Sequence, residues 1–223
     1  LCDVSAPPYG LQNGTNATAL LQQAIDSCGD LPGGGTVLLP AGLVLYSGSL
    51  WLRSNLTLRV EAGAALVGSR DAAEYPTVYT RSGGMMYEAH ASLLNGARCS
   101  RMATPPSTTG GDDCLAWGKL ENVVIEGAGR IDGNINRTDP LSPHFGHPLE
   151  KLPTLLGLLW IDGLTLRDVT IRRPAFWTVH VCFCNNVRIT GINVLSTMGG
   201  MDAVDIDSTW NAYVASSVLS SGD

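Results

Sequence analysis

The sequence lacks long hydrophobic runs, a basic composition and the cysteine–histidine spacing of zinc sites. No stretch reaches the roughly 18 consecutive apolar residues of a membrane-spanning helix, so we expect no membrane partner. Charged residues make up 15% of the chain, and the formal net charge is −6. Because nucleic-acid binding calls for a basic surface, no nucleic-acid partner is expected. We also expect no metal and no cofactor, since the ligand spacings that would hold them are missing.

The N-terminal residues and the sequons favour a secreted glycoprotein. The chain begins Leu1-Cys2-Asp3, without Met, a basic segment or an apolar signal segment, and we interpret it as a mature or excised segment. N-glycosylation is a modification of secreted and surface proteins. The candidate acceptors are the four sequon residues Asn13, Asn16, Asn55 and Asn136.

The six cysteines fit an oxidising compartment but do not fix their own pairing. Cys99 and Cys114 flank a loop rich in Pro, Ser, Thr and Gly, and we favour them as one disulfide. Cys2 and Cys28 form a second candidate pair, which would hold the N-terminus in place.

One helix and many short strands are predicted. Residues 18–28 carry apolar side chains at helical spacing, with Thr18 positioned to cap the helix. Elsewhere, short β-branched or leucine-rich runs alternate with Gly, Asn and Pro, which is typical of turn-rich β structure. Residues 70–118 and 134–153 break this pattern. We expect them to be long loops that project from one side and wall a binding surface.

A repeat of 23 to 25 residues runs through the second half of the chain. The segments GLTLRDVTI, NVRITGINV and NAYVASSVL begin at Gly163, Asn186 and Asn211, and an earlier copy begins at Asn122. Such a unit has room for strands and turns but not for a helix, and propeller blades need about 40 residues. The repeat therefore predicts an all-β fold, a parallel β-helix (solenoid) with a short N-terminal helix, as a single domain over 1–223.

Two cysteines belong to one of these repeats. Cys182 and Cys184 lie two positions apart in a predicted strand, which places both thiols on one face. We expect them to be buried free cysteines.

The ordered segments together resemble the polygalacturonase family of pectin-hydrolysing glycosidases. The resemblance covers nearly the whole chain and is carried by AIDSC (24–28), GGGTVLLPAG (33–42), SNLTLRVEAGAALVGS (54–69), GRIDG (129–133), RPAFWTVH (173–180), NVRITGI (186–192), DAVDIDS (202–208) and SSGD (220–223). It implies a right-handed parallel β-helix that hydrolyses α-1,4-galacturonosyl linkages with inversion. It also implies a pectin-like polysaccharide partner, a monomer and a cell-wall location.

The family's catalytic pattern is Asn-Thr-Asp, then Gly-Asp-Asp about one coil later, then His-Gly and Arg-x-Lys. Asp202 falls on the first acid, although Gly200 and Met201 stand where the family has Asn and Thr. Gly222-Asp223 matches the start of the second motif. Because the remaining motifs have no counterpart, we interpret the chain as the N-terminal portion of a longer β-helix. We expect little activity from this segment alone.

Asp202 and Asp223 are the candidate catalytic residues. They lie about one coil apart, so their side chains can face one cleft. Inverting hydrolysis uses one carboxylic acid and one carboxylate, with about 6.5–9.5 Å between them to admit a water molecule. We assign Asp202 as the base or water-positioning group and Asp223 as the acid.

Three further residues are candidates for substrate binding. His180 lies about one coil before Asp202 and would face the same groove. Arg173 would pair with a substrate carboxylate. Asp205 shares strand parity with Asp207, so both should lie on one face. Asp205 would line the cleft, with turn capping and a solvent-facing role as alternatives.

Two rival functions stay open. A non-catalytic carbohydrate-binding β-helix is suggested by the incomplete motif set and by Gly200-Met201. A pectate lyase would instead use its acids to bind calcium and an arginine as the base for β-elimination. The sequence leaves the identity of the polysaccharide, and endo versus exo action, undecided.

Overall fold

The protein is a right-handed parallel β-helix, as the repeat and the resemblance predict. The computed structural model describes residues 1–97, 119–136, 152–196 and 201–222. In this part of the chain, no helix is long and apolar enough to cross a membrane.

The chain winds through three parallel sheets, which we name A, B and C. The helix is α1 (Thr18–Gly29), and the strands are β1 (Cys2–Asp3), β2 (Gly35–Leu39), β3 (Val44–Ser47), β4 (Leu50–Trp51), β5 (Leu56–Val60), β6 (Ala65–Gly68), β7 (Thr77–Ser82), β8 (Met85–His90), β9 (Leu94–Asn95), β10 (Leu120–Glu126), β11 (Arg130–Asp132), β12 (Leu156–Leu159), β13 (Ile161–Arg167), β14 (Thr170–Arg172), β15 (Val179–Cys182), β16 (Asn185–Thr190), β17 (Asn193–Leu195), β18 (Val204–Asp207), β19 (Trp210–Ala215) and β20 (Val218–Ser220). Sheet A has the order β1-β2-β5-β10-β13-β16-β19. Sheet B has the order β3-β6-β11-β14-β17-β20, and sheet C has the order β4-β9-β12-β15-β18.

The core is a set of apolar columns inside the coil. In sheet A, parallel register places Val37, Leu58, Ile125, Leu166 and Ile189 one above the other, and all five are at most 1% exposed. Apart from Leu38 and Val124, their outward neighbours along each strand are polar or charged, which is the alternation expected of a half-buried strand. The inward columns therefore fix which side chains face solvent on every rung, where a rung is one turn of the coil.

Asparagines make a sharp bend at the start of four sheet A strands. Asn55, Asn122, Asn186 and Asn211 all adopt positive φ, between 52° and 56°. Asn122 donates to Asn55 at 3.0 Å, and Asn211 donates to Asn186 at 2.7 Å. Asn tolerates the left-handed region better than most residues. Asn122, Asn186 and Asn211 each begin a predicted repeat segment, so their shared conformation confirms the repeat alignment at its turn.

Helix α1 covers the N-terminal end of the coil. It buries Leu21, Ala24, Ile25 and Cys28 at the spacing of one helical face. The prediction that Thr18 caps the helix is wrong, because Thr18 is already the first helical residue. Its backbone N–H instead donates to the side chain of Asn16 at 3.1 Å.

The expectation of a long loop over 70–118 is wrong for its first part. Strands β7 and β8 form an antiparallel hairpin, and β9 is a regular strand of sheet C. The hairpin turns at Gly83 and Gly84, which both have positive φ. A Gly-Gly pair between two β-prone runs is a known hairpin signal, and it was available in the sequence. We call residues 77–90 the covering hairpin.

A ladder of charges runs across the outer face of sheet A. Arg59, Glu126 and Arg167 lie side by side in register on β5, β10 and β13. Arg59 Nε donates to Glu126 Oε1 at 2.7 Å, and Arg167 Nε donates to Oε2 at 2.8 Å. Burial by itself raises the pKa of Glu126, but the hydrogen bonds and charges of Arg167 and Arg59 outweigh it and hold this pKa below its ordinary value.

We predict that Glu126→Gln destabilises the fold by about 1–2 kcal/mol at neutral pH, because two half-exposed arginines lose their shared carboxylate. Since the folded pKa is lowered, this contribution is present above the unfolded value of 4.5 and is lost as the pH falls through the folded value. Urea unfolding of both proteins at neutral and acid pH measures it. Glu121→Gln, an exposed position on the same strand, is the control. Equal losses from the two variants would contradict the prediction.

Candidate active site

The outer face of sheet C carries the candidate site. Parallel register places Trp51, Asn95, Gly157, His180 and Asp205 in one column that runs across β4, β9, β12, β15 and β18. The alternate positions of these strands point into the core. An indole, an amide, an imidazole and a carboxyl group therefore lie along a single line on the surface of the coil.

A second column runs beside the first. It contains Leu159, Cys182 and Asp207 on β12, β15 and β18. Asp205 and Asp207 thus lie on the same face, as the parity of their positions predicts.

Asp202 and Asp205 form a carboxyl pair next to β18. The carbonyl of Asp202 accepts a hydrogen bond from Thr178 N at 2.8 Å, which anchors Asp202 to the preceding rung. Burial and the charge of Asp202 raise the pKa of Asp205 from 3.8 to about 7. Asp205 Oδ2 is enclosed and receives no hydrogen bond from a donor in the described part of the chain. A hydrogen bond to the side chain of Asp202 raises the pKa of Asp205 further, because two carboxyl groups can bond to each other only when one of them is protonated.

His180 lies directly beneath Asp205 and is only 1% exposed. The rings of His180 and Trp177 pack in a T-shaped arrangement, with their centroids 5.2 Å apart. Burial lowers its pKa to about 4, with the charge of Asp207 opposing and that of Arg81 assisting the shift. The sequence spacing predicts that His180 aligns with Asp202. The observed register is 25 residues, which pairs His180 with Asp205 instead.

Asp207 is bound by a residue from the covering hairpin. Arg81 Nε donates to Asp207 Oδ2 at 2.6 Å, and Ser208 Oγ donates to Oδ1 at 2.8 Å. Burial by itself raises the pKa of Asp207, but the Arg81 and Ser208 hydrogen bonds, with the charges of Arg81 and His180, hold it below its ordinary value. Sequence reasoning missed this pair, because its members are 126 positions apart.

Three of these side chains also lie close enough to share a metal ion. His180, Cys182 and Asp207 each offer one ligand atom, and these atoms lie within 4.8 Å of one another. Arg81 already neutralises the Asp207 carboxylate, which reduces the attraction of this group for a cation. The expectation of no metal stays a prediction.

Arg173 makes a different contact from the one predicted. Its guanidinium group donates from two nitrogens to Asp132, at 2.7 and 2.8 Å. Arg172 donates to the same carboxylate at 2.7 Å. Asp132 is fully buried, so the role that the structure gives Arg173 is to neutralise a buried acid. A role in holding substrate would have to be additional.

The cysteines divide into three groups. Cys2 and Cys28 are joined by a disulfide, whereas Cys99 and Cys114 lie outside the described residues. Cys182 and Cys184 are free and buried. The prediction that these two thiols share one face is wrong, because Cys184 belongs to the main core and Cys182 to a separate cluster outside the coil. The chain bends between them at Phe183, which has a φ of 54°.

The remaining site predictions have mixed outcomes. Asp223 lies outside the described residues, so its role as the acid stays a prediction. Asn13, Asn16, Asn55 and Asn136 are all exposed. Asn16 donates to Glu74, however, and a glycan on that amide would have to displace the contact.

Known proteins resemble the chain in both sequence and fold. No protein-family model matches it. The exo-poly-alpha-D-galacturonosidase of Dickeya chrysanthemi is 27% identical over 261 residues, which cover 99% of this chain and 40% of that protein. The solved Family 28 exopolygalacturonase of Yersinia enterocolitica shares 26% identity and has a TM-score of 0.72, over 96% of this chain and 42% of that one. The chain is therefore similar to polygalacturonases in both sequence and fold.

The polygalacturonase fold extends to more distant structures. The hyperthermoactive exopolygalacturonase of Thermotoga maritima has a TM-score of 0.76 at 20% identity, over 95% of this chain and 50% of that one. The chain spans half or less of the length of each of these three proteins.

We predict that Asp205 titrates near neutral pH and that Asp202→Asn lowers this pKa, because the variant removes the neighbouring charge. Since the folded pKa of about 7 lies above the unfolded value of 3.8, the fold loses stability as the pH rises through this interval. Carboxyl ¹³C shifts against pH report the titration. Asp168→Asn, at an exposed turn, should leave it unchanged. A wild-type midpoint at the ordinary aspartate value would contradict the prediction.

Proposed function

We propose that the protein is a secreted glycoside hydrolase that cleaves galacturonosyl linkages of pectin-like polysaccharides by water attack with inversion. The observation that carries the proposal is the Asp202–Asp205 pair on the outer face of sheet C, at the position of the family's first catalytic acid. The names of the relatives support the substrate class.

The pair supplies the base side of the reaction. With its proton on Asp205, the shared hydrogen bond orients the Asp202 carboxylate, which takes a proton from the attacking water. Carboxyls joined by a hydrogen bond are closer than the about 6.5–9.5 Å that an inverting pair needs around its water. The leaving oxygen must therefore be protonated by a third carboxyl group, and Asp223 is the candidate from the sequence.

A polyanionic substrate also needs cations near the groove. Arg130, Arg172 and Arg173 surround the single carboxylate of Asp132 at distances of 3.9, 2.7 and 2.7 Å. The three arginines exceed the one carboxylate by two positive charges, and the arginine side chains are 35–40% exposed. It lies at the end of sheet B, where the chain turns towards sheet C. An excess of positive charge here would attract the acid groups of a galacturonan chain.

The disulfide and the exposed sequons support secretion. Cys2–Cys28 is of a kind that persists in oxidising compartments. Mass spectrometry of the natural protein, before and after removal of N-glycans, tests the assignment.

We predict that Asp202→Asn lowers kcat by about 10²–10⁴-fold, the usual contribution of a general base. Asp205→Asn should cost less, because an amide still donates a hydrogen bond to Asp202. Wild-type activity should fall above about pH 7 as Asp205 ionises, and this limb should vanish in Asp205→Asn. Among the described residues, the titratable groups next to Asp205 are Asp202 and, on the preceding rung, His180.

The assay uses polygalacturonate and the longest natural chain that contains these residues. Reducing ends should appear without the ultraviolet absorbance of an unsaturated product, and ¹H NMR should show the inverted anomer first. An unsaturated product that disappears with a chelator would identify a lyase. A folded protein that releases no reducing ends would support the non-catalytic module. Asp168→Asn is the control for a lost surface carboxylate.

A further inference from the structure

The covering hairpin lies over the outer face of sheet C on the N-terminal side of the candidate site. Its residues Val78, Tyr79 and Thr80 face Trp51 and Gly157 across a small cavity. The two latter residues belong to the same column as His180 and Asp205. The hairpin therefore covers the part of this column that lies on the rungs before the carboxyl pair.

The space beneath the hairpin is too small for a sugar. The cavity has a volume of about 40 Å³. A water molecule needs about 10–15 Å³ on this scale, and pockets for small ligands have about 300–1,000 Å³. The cavity can thus hold a few water molecules, but a galacturonosyl unit cannot enter it unless the hairpin moves.

One side chain ties the hairpin to the rung of the carboxyl pair. Arg81 donates to Asp207 from Nε at 2.6 Å, and both side chains are at least three-quarters covered. The guanidinium carbon lies 5.0 Å from the centre of the Phe183 ring, which itself stacks on Trp160 at 4.5 Å. A covered, charge-assisted contact on an aromatic face is stronger than an exposed ion pair.

We propose that the covering hairpin closes the groove on the N-terminal side of Asp202 and Asp205, and that Arg81 determines this closure. The site then accepts the end of a polysaccharide chain and not its middle. Arg81 is a specificity-determining residue that acts through the position of the hairpin. The proposal rests on the proposed hydrolysis for its substrate, whereas the closure itself can be tested without turnover.

The first test measures closure through Cys182. Its thiol is fully buried and lies next to Asp207, whereas the thiol of Cys184 is buried in the main core. Arg81→Ala should speed labelling of Cys182 in the native protein about tenfold, which equals about 1.4 kcal/mol of lost closure. Labelling of Cys184, located by peptide mass, should not change. Arg167→Ala removes an arginine from an ion pair on sheet A and should affect neither thiol.

The second test measures the cutting pattern on polygalacturonate. The wild type should release reducing ends with little loss of viscosity, and Arg81→Ala should lose severalfold more viscosity per bond cleaved. Arg81→Lys keeps the charge but not the forked contact, so it gives an intermediate result and serves if Arg81→Ala fails to fold.

The outcomes separate the two proposals. A wild type that lowers viscosity at once overturns the closure and leaves the hydrolysis standing. Unchanged Cys182 labelling and an unchanged cutting pattern in a folded Arg81→Ala variant overturn the role of Arg81. If neither form hydrolyses the polysaccharide, the proposed function fails, and with it the selection of chain ends. Faster Cys182 labelling would then still support the closure by Arg81.

Discussion

The parallel register between rungs is the constraint on which every other feature depends. Hydrogen bonds between successive coils align equivalent residues, so the inward columns and the outward columns are fixed together. A shift of one residue would reverse the faces of a strand and bring an acid such as Asp205 into the core. Left-handed residues at the start of the sheet A strands, four asparagines with Gly34 and Gly163, keep the register from coil to coil, since they allow the same sharp turn at equivalent positions. The chemistry of the site is therefore a consequence of how the turns are made.

That register brings together groups that would otherwise stay apart. Two carboxyls beside each other are unfavourable when both are ionised, and partial burial increases the cost. The fold tolerates the pair because one proton relieves the repulsion. Asp207, only two residues further along the same strand, lies in a different environment because Arg81 neutralises it. Neighbouring acids of one strand thus acquire opposite pKa shifts, which is the pattern that separates roles in acid–base catalysis.

Much of the fold could be predicted from the sequence, but the site only in part. The repeats from Gly163, Asn186 and Asn211 indicated the coil because their turn and strand signals are local. The covering hairpin also has a local signal, the Gly83-Gly84 pair at its turn. The contact between Arg81 and Asp207 had none, because it depends on how far a side loop reaches over several rungs. Strand parity predicts the face of Asp205 correctly, yet its raised pKa follows from burial and from Asp202, which parity alone does not reveal.

In a coil of this kind each rung contacts only its neighbours, so stability is approximately a sum of local terms and unfolding can begin at either end. The contact from Arg81 to Asp207 departs from that arrangement, because it joins residues 126 positions apart. It links a segment that follows the first rungs directly to the last described strand of sheet C. Fraying of that strand is then opposed by the opposite end of the coil as well as by the adjacent rung. The side loop consequently makes the stack more cooperative than its repeating architecture alone would be.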